Sequence, residues 1–260
     1  MSEDISGNVR GWDYDPSAVN ARWIKGHDGK LKIQLRLDLG LFQMETQGRP
    51  DGTRPHGQSA VLDYYRAREK EAGLRGEKLT LDAEACAELQ QEAMQYYYRY
   101  LSYYALRHFE GVVADTEHNL AIVDFVSSHT RDEDAAWQFL QFYPYIRMMN
   151  ARARAERAMA VRQFEEAIRA LQTALDDIQS FWEDYGDGEA IGDSQEVEML
   201  NDLMRQVKRQ KPKSREDRLR EDLAHAIAAE DYEKAASLRD EINQLPAAPP
   251  SARRGAPRGR

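Results

Sequence analysis

Few residues in this 260-residue chain have the type and spacing that chemistry requires. Asp115 and His118 lie three apart, which on a helix puts a carboxylate and an imidazole on one face, half of a helical metal site. No matching carboxylate set completes it, and a polar helix face is the plainer reading. Cys86 is the one cysteine, which excludes an intramolecular disulfide and a zinc site built on cysteine pairs. It lies near a helix start, where a thiol pKa falls, with Glu84 and Glu88 pushing the other way. His27, His108, His129 and His225 are scattered, and spacing reveals no Ser-His-Asp or Cys-His arrangement. The acidic, glycine-rich stretch 183–193 lacks the D-x-D-x-D-G register of a calcium loop. No GxxxxGK[ST] phosphate loop occurs. The expectation is a chain that is not an enzyme and takes no metal or cofactor.

The elements that would position these residues are mainly helical. Residues 1–21 show no periodicity and read as a flexible lead. Residues 22–57 read as a β hairpin and a Gly/Pro loop. Leu31, Ile33, Leu35, Leu37 and Leu39 alternate with Lys32, Gln34, Arg36 and Asp38, the period of a half-buried strand. Gly40 breaks the parity and Phe42 and Met44 resume on the other, which implies a bulge or turn. Arg22 to Lys25, followed by Gly26-His27-Asp28-Gly29, supplies a short partner strand and its turn. Two strands alone are marginal in water, so this unit must pack on helices or pair with a second copy. In the loop Gly48 to Gly57, Arg49, Arg54 and His56 offer an anion site; turn chemistry alone is the competing reading.

Residues 58–183 read as a body of helical hairpins. Ser59 is the expected N-cap of a helix through Leu62, Tyr65 and Arg68, ended by Gly73 and Gly76. Thr80, with Glu84 near, opens a long helix to about Leu106. It carries six tyrosines in the nine residues 96–104. Stacking on nucleobases is one use of such rings. Packing between helices is favoured here, because the stretch lies in an acidic region. Ala105-Leu-Arg-His-Phe109-Glu aligns with Ala160-Val-Arg-Gln-Phe164-Glu at an offset of 55. Helices near 84–106 and 132–158 precede the two copies, so two stacked hairpins are expected. The Phe164 segment, with Ala167 and Ala174, resembles the second helix of a tetratricopeptide repeat. The earlier copy has Val112 and Asn119 at those places, and the offset exceeds that family's repeat, so the body is TPR-like.

Charge is segregated. Residues 1–82 sum to zero, 83–204 to −14 and 205–260 to +5. The acidic middle repels phosphate and argues against a broad nucleic-acid surface there. Residues 184–213 read as an acidic loop, a helix with Val197, Leu200, Met204 and Val207 on one face, and a basic linker. Lys208, Arg209, Lys211 and Lys213 at its end favour a helix C-terminus electrostatically and are also candidates for nucleic-acid contact. Residues 247–260 form a basic tail of disordered composition, whose Arg253 and Arg254 are candidates of the same kind.

Residues 214–246 read as a helical hairpin. Ser214 caps a first helix with Leu219, Leu223, Ala226 and Ile227 on one face; Asp231 caps a second, with Tyr232, Ala235, Leu238, Ile242 and Leu245 on its apolar face, and Pro246 ends it. The run Asp231-Tyr232-Glu233-Lys234-Ala235-Ala236-Ser-Leu238-Arg239-Asp240-Glu241-Ile242 resembles the UVR motif that closes the excision-repair proteins UvrB and UvrC. With the β segment and the Gly-Arg-Pro-Asp-Gly loop, the chain also resembles a group of bacterial UVR-motif proteins. The resemblance implies a protein–protein contact element, with Leu219, Leu223, Ile227, Tyr232, Ala235, Leu238, Arg239, Ile242 and Leu245 as the partner-binding residues.

A helical piece of this size rarely stands alone, so it is expected to dock on its own body, a second copy or another protein. The sequence therefore predicts a mainly α protein: a TPR-like body, a small N-terminal antiparallel β unit and a C-terminal UVR helical hairpin. The expected role is a non-catalytic adaptor. The alternative is a nucleic-acid-associated factor in excision repair or RNA handling, contacting phosphates through the basic linker and tail. No apolar run approaches a membrane span and Met1-Ser2-Glu3-Asp4 lacks signal-peptide character, so a cytoplasmic setting is expected.

Overall fold

Alternation in the N-terminal segment produces a three-stranded antiparallel sheet in the order β1 (Asn20–Lys25), β2 (Leu31–Arg36), β3 (Leu41–Glu45). A computed structural model describes residues 4–186, 194–212 and 215–244. The register aligns Trp23, Ile33 and Met44 across the sheet, with Arg22, Gln34 and Gln43 on the next rung. Ile33, Leu35 and Met44 are buried against Tyr100 and Tyr103, so the sheet packs on the helices. The expected long strand is shorter than its alternation: β2 stops at Arg36, a tight turn closes with Leu37 N–H donating to the Gly40 carbonyl, and Leu39 is 92% exposed. Alternation cannot distinguish a strand end from a polar turn residue at the same parity.

The lead is structured where it meets the sheet. A short helix α1 (Ser6–Val9) precedes Trp12, whose ring lies 4.0 Å from the Arg22 guanidinium, and Arg22 donates to the Asn8 carbonyl at 2.6 Å. Local side-chain hydrogen bonds shape this stretch: Asp4 accepts from Ser6 and Asp15 from Ser17. Local hydrogen bonds of this kind leave no apolar period in the sequence.

The helices are α2 (Val61–Leu74), α3 (Ala83–Ala105), α4 (Phe109–His129), α5 (Glu133–Leu140), α6 (Tyr143–Ala160), α7 (Phe164–Tyr185), α8 (Gln195–Gln210), α9 (Arg215–Ala228) and α10 (Tyr232–Asn243). The chain divides into two compact units, Met1–Lys208 and Arg209–Arg260. In the first, α3 pairs with α4 and α6 with α7, with α4 against α6. Three starts differ from expectation. Asp82, not Thr80, caps α3 by accepting from Ala85 N–H at 2.9 Å. The capping residue before α2 is Ala60, with no side-chain cap of its own. The helix expected over 132–158 is two, because Pro144 in the first turn of α6 has no N–H to continue a helix from α5.

The echo at an offset of 55 is a repeated turn. Arg107 and Arg162 both adopt left-handed backbone, φ 56° and 59°. In each, the next N–H reaches back five residues, His108 to the Tyr103 carbonyl at 2.9 Å and Gln163 to the Ala158 carbonyl at 2.8 Å. This is a Schellman closure followed at once by an aromatic-led helix. The same turn joins α9 to α10: Glu230 has φ 57°, Asp231 N–H reaches the Ala226 carbonyl at 2.9 Å, and Tyr232 leads α10. The sequence Ala-x-Arg/Glu-x-Phe/Tyr-Glu thus recurs three times, at Ala105, Ala160 and Ala228.

Two cores fill the first unit. One joins the sheet to α3, α4, α6, α7 and α8 and includes Leu171, Ile178, Leu200 and Val207; the other joins α2, α3, α4 and α5 around Leu62, Leu89 and Ile122. Ala151, Ala155, Ala167 and Ala174 are fully buried, and such small side chains let α6 and α7 approach closely. The tyrosine stretch packs: Tyr96, Tyr100 and Tyr103 are buried, and Tyr97, Tyr98 and Tyr104 are half-buried. Tyr103 donates to the Thr46 carbonyl at 2.8 Å.

Candidate functional site

The residues first considered for chemistry form a structural network. Asp115 accepts both Nε (2.8 Å) and Nη2 (2.7 Å) of Arg99, a bidentate pair inside the body. The remaining Arg99 nitrogen, Nη1, donates to the Glu45 and Gly48 carbonyls at 3.1 and 2.7 Å, tying the end of β3 to α3 and α4. Burial opposes the Arg99 charge, but the Asp115 carboxylate outweighs it and raises the guanidinium pKa. His118 lies 3.0 Å from Glu92 Oε1 and stacks on Tyr96 at 3.9 Å. The candidate metal pair is therefore engaged elsewhere, and among the described residues no group of three or more His, Cys, Asp and Glu side chains could hold a metal ion.

Glu92, fully buried, supplies the N-cap that α2 lacks. It accepts from Val61 N–H at 2.6 Å and Leu62 N–H at 3.2 Å, and Arg49 Nη1 lies 3.4 Å away. Burial pushes the carboxyl pKa up, but His118 and the two backbone donors prevail and hold it below the ordinary value. The anion loop is corrected by the same contacts. Arg49 is buried against Asp51, Gln95 and Glu92, and His56 faces Glu88 at 3.3 Å while stacking on Tyr64. Arg54 stands apart, exposed. Cys86 is buried in the second core; burial and then Asp82 and Asp132 raise its pKa, so the helix start does not activate it.

Sequence reasoning passed over Glu92 and Arg99, although the signal was there. Leu89, Glu92, Tyr96, Arg99 and Tyr103 follow at spacings of three and four, one inward stripe of α3, and all are buried. A charge inside an apolar stripe requires a buried partner.

The hairpin α9–α10 is built differently. Its seam holds Leu219, Ala226 and Ala235, which are buried, with Leu223, Leu238 and Ile242 half-buried. Asp231 caps α10 by accepting from Lys234 N–H at 3.1 Å, and Arg215 pairs with Glu241 at 2.6 Å. Ile227 and Tyr232 flank the turn and are 55% and 70% exposed. Ile227, at the end of α9, is thus left uncovered where Leu219 is buried. Arg239 is exposed. On α8, Lys208 and Arg209 are exposed and Lys211, just beyond it, is half-buried. Ser214, Leu245, Pro246, Lys213, Arg253, Arg254 and the rest of the basic tail lie outside the described residues.

Among the described residues no helix is long and apolar enough to cross a membrane. No curated protein and no solved structure matches the chain. Residues 216–246 match the family described as the UvrB/uvrC motif, which makes the α9–α10 helix pair a UVR hairpin.

Proposed function

We propose that this chain is a non-catalytic adaptor that engages a protein partner through its UVR hairpin, displayed by a TPR-like body in the cytoplasm. The observation that carries the reading is the apolar tip of the hairpin. Ile227 and Tyr232 stand exposed on either side of a rigid Schellman turn within the matched motif. Exposed apolar side chains at the two ends of one turn are what an interface anchor requires, and a UVR motif is an interaction module in UvrB and UvrC. Leu223, Leu238 and Ile242, half-buried in the seam, keep part of their apolar surface uncovered.

Affinity capture tests the reading. The intact chain should retain a protein that an Ile227→Asp/Tyr232→Ser double variant loses, while the variant's melting temperature stays within about 2 °C because both positions are exposed. A Leu223→Asp/Leu238→Asp variant, which also disturbs the seam, should lose the same protein. Identical retention by all three chains would overturn the adaptor reading.

A further inference from the structure

Positive charge is scarce in the acidic body. Residues 83–204 hold nine basic side chains against 23 acidic ones. Four of the nine line one groove on the α6–α7 hairpin: Arg147, Arg154, Arg157 and Arg169, with Glu166 and Thr173 beside them and a volume of about 340 Å³. That volume is at the small end of the ~300–1,000 Å³ typical of small-molecule sites. Two of the arginines are anchored. Arg147 Nε donates to Asp177 at 2.7 Å, and Arg154 donates to Asn150 Oδ1 at 2.8 Å and pairs with Glu117. Arg157 and Arg169 are exposed, and their side chains make no hydrogen bond or ion pair among the described residues. Arg154 and Arg157 are three apart on α6, where like charges destabilise a helix. The lining sums to +3, and the Asp177 and Glu117 carboxylates that pair with Arg147 and Arg154 bring the local sum to +1, with Arg157 and Arg169 left to receive an anion.

We propose that this groove binds the phosphate chain of a small di- or triphosphate. Guanidinium forks pair bidentately with phosphate oxygens. A di- or triphosphate offers oxygens on successive phosphorus atoms and so reaches several of the four guanidinium forks at once, whereas a monocarboxylate engages one. A long polyanion such as nucleic acid would extend beyond the groove into a body of net charge −14, which repels it. Glu166 is the one negative charge in the lining and weakens the site it borders.

Isothermal titration calorimetry of the full chain tests this with three probes: inorganic tripolyphosphate, adenosine 5′-triphosphate without metal, and a pentaglutamate peptide. Both phosphates should bind. Arg157→Gln/Arg169→Gln should weaken both at least tenfold with no fall in melting temperature, since neither side chain is paired. Glu166→Gln should tighten both, and Lys208→Gln/Arg209→Gln should leave both unchanged. Equal affinities assign the phosphate chain as the whole ligand; tighter adenosine triphosphate binding adds a nucleoside contact to the same site. Absence of phosphate binding at millimolar concentration, equal binding by Arg157→Gln/Arg169→Gln, or a preference for pentaglutamate would overturn the proposal.

Discussion

Glu92 shows how one side chain couples three segments. Its oxygens replace the cap that Ala60 cannot supply, and the same carboxylate faces His118 and Arg49. Removing one partner from a buried network costs about 1–3 kcal/mol, so Glu92→Gln should destabilise the chain by that amount at pH 7, read by chemical denaturation. The pH dependence has a defined sign. The folded-state pKa lies below the ordinary value of 4.5, so the carboxylate's contribution is complete above that value and is lost as pH falls through the lower folded one. The gap between the parent chain and Glu92→Gln should therefore narrow as pH falls below 4.5; a gap that stays constant down to the acid unfolding of the chain would contradict the role. Glu92 and Arg99 were legible as charges in an apolar stripe. Their partners were not, because Asp115, Val61 and the Gly48 carbonyl come from other segments, and spacing along one helix does not report what lies opposite it.

At the scale of elements, the recurring Schellman turn is the organising device. It closes α3–α4, α6–α7 and α9–α10 with the same backbone path, and each time a non-glycine residue takes the left-handed position. Left-handed backbone costs such a residue about 1–2 kcal/mol. Glycine removes that cost but adds about 0.5–1 kcal/mol of chain entropy to be lost on folding. Arg162 is exposed and its side chain makes no hydrogen bond or ion pair among the described residues, so Arg162→Gly should stabilise the chain by on the order of 0.5 kcal/mol. Arg162→Val should destabilise it by more than that. Equal denaturation midpoints for the three chains would remove the left-handed turn from the account of stability. The offset of 55 exposed the first two turns in sequence. The third escaped notice because it falls 68 residues after the second and matches through its turn alone: Glu230 stands where the others have arginine and Tyr232 where they have phenylalanine. The break between α5 and α6 escaped for another reason: the spacing of Phe139, Tyr143 and Ile146, four and three, runs across it as on one helix face, and only the missing N–H of Pro144 marks the boundary.

For the whole molecule, segregated charge decides which partners are reachable. The body between residues 83 and 204 carries −14, while 205–260 carries +5, including exposed Lys208 and Arg209. Nucleic acid is therefore attracted by residues 205–260 and repelled by residues 83–204. If Lys208, Arg209, Lys211 and Lys213 each displaced one counterion, affinity for duplex DNA would fall about 10²-fold between 50 and 200 mM salt. The adaptor reading accordingly expects DNA retention that is weak, lost near physiological salt, and abolished when those four residues are neutralised, while capture of the protein partner is unaffected. A fluorescence-anisotropy titration of a labelled duplex across that salt range measures the first part, and the capture assay on the same variant measures the second. The two readings separate cleanly because they place the decisive contacts on different chemistry. Apolar anchors at Ile227 and Tyr232 are indifferent to moderate salt, whereas phosphate contacts are not. DNA binding that stays tight at 200 mM salt, together with partner capture that fails when the lysines and arginines are neutralised, would move the function from the hairpin's apolar tip to its basic approach.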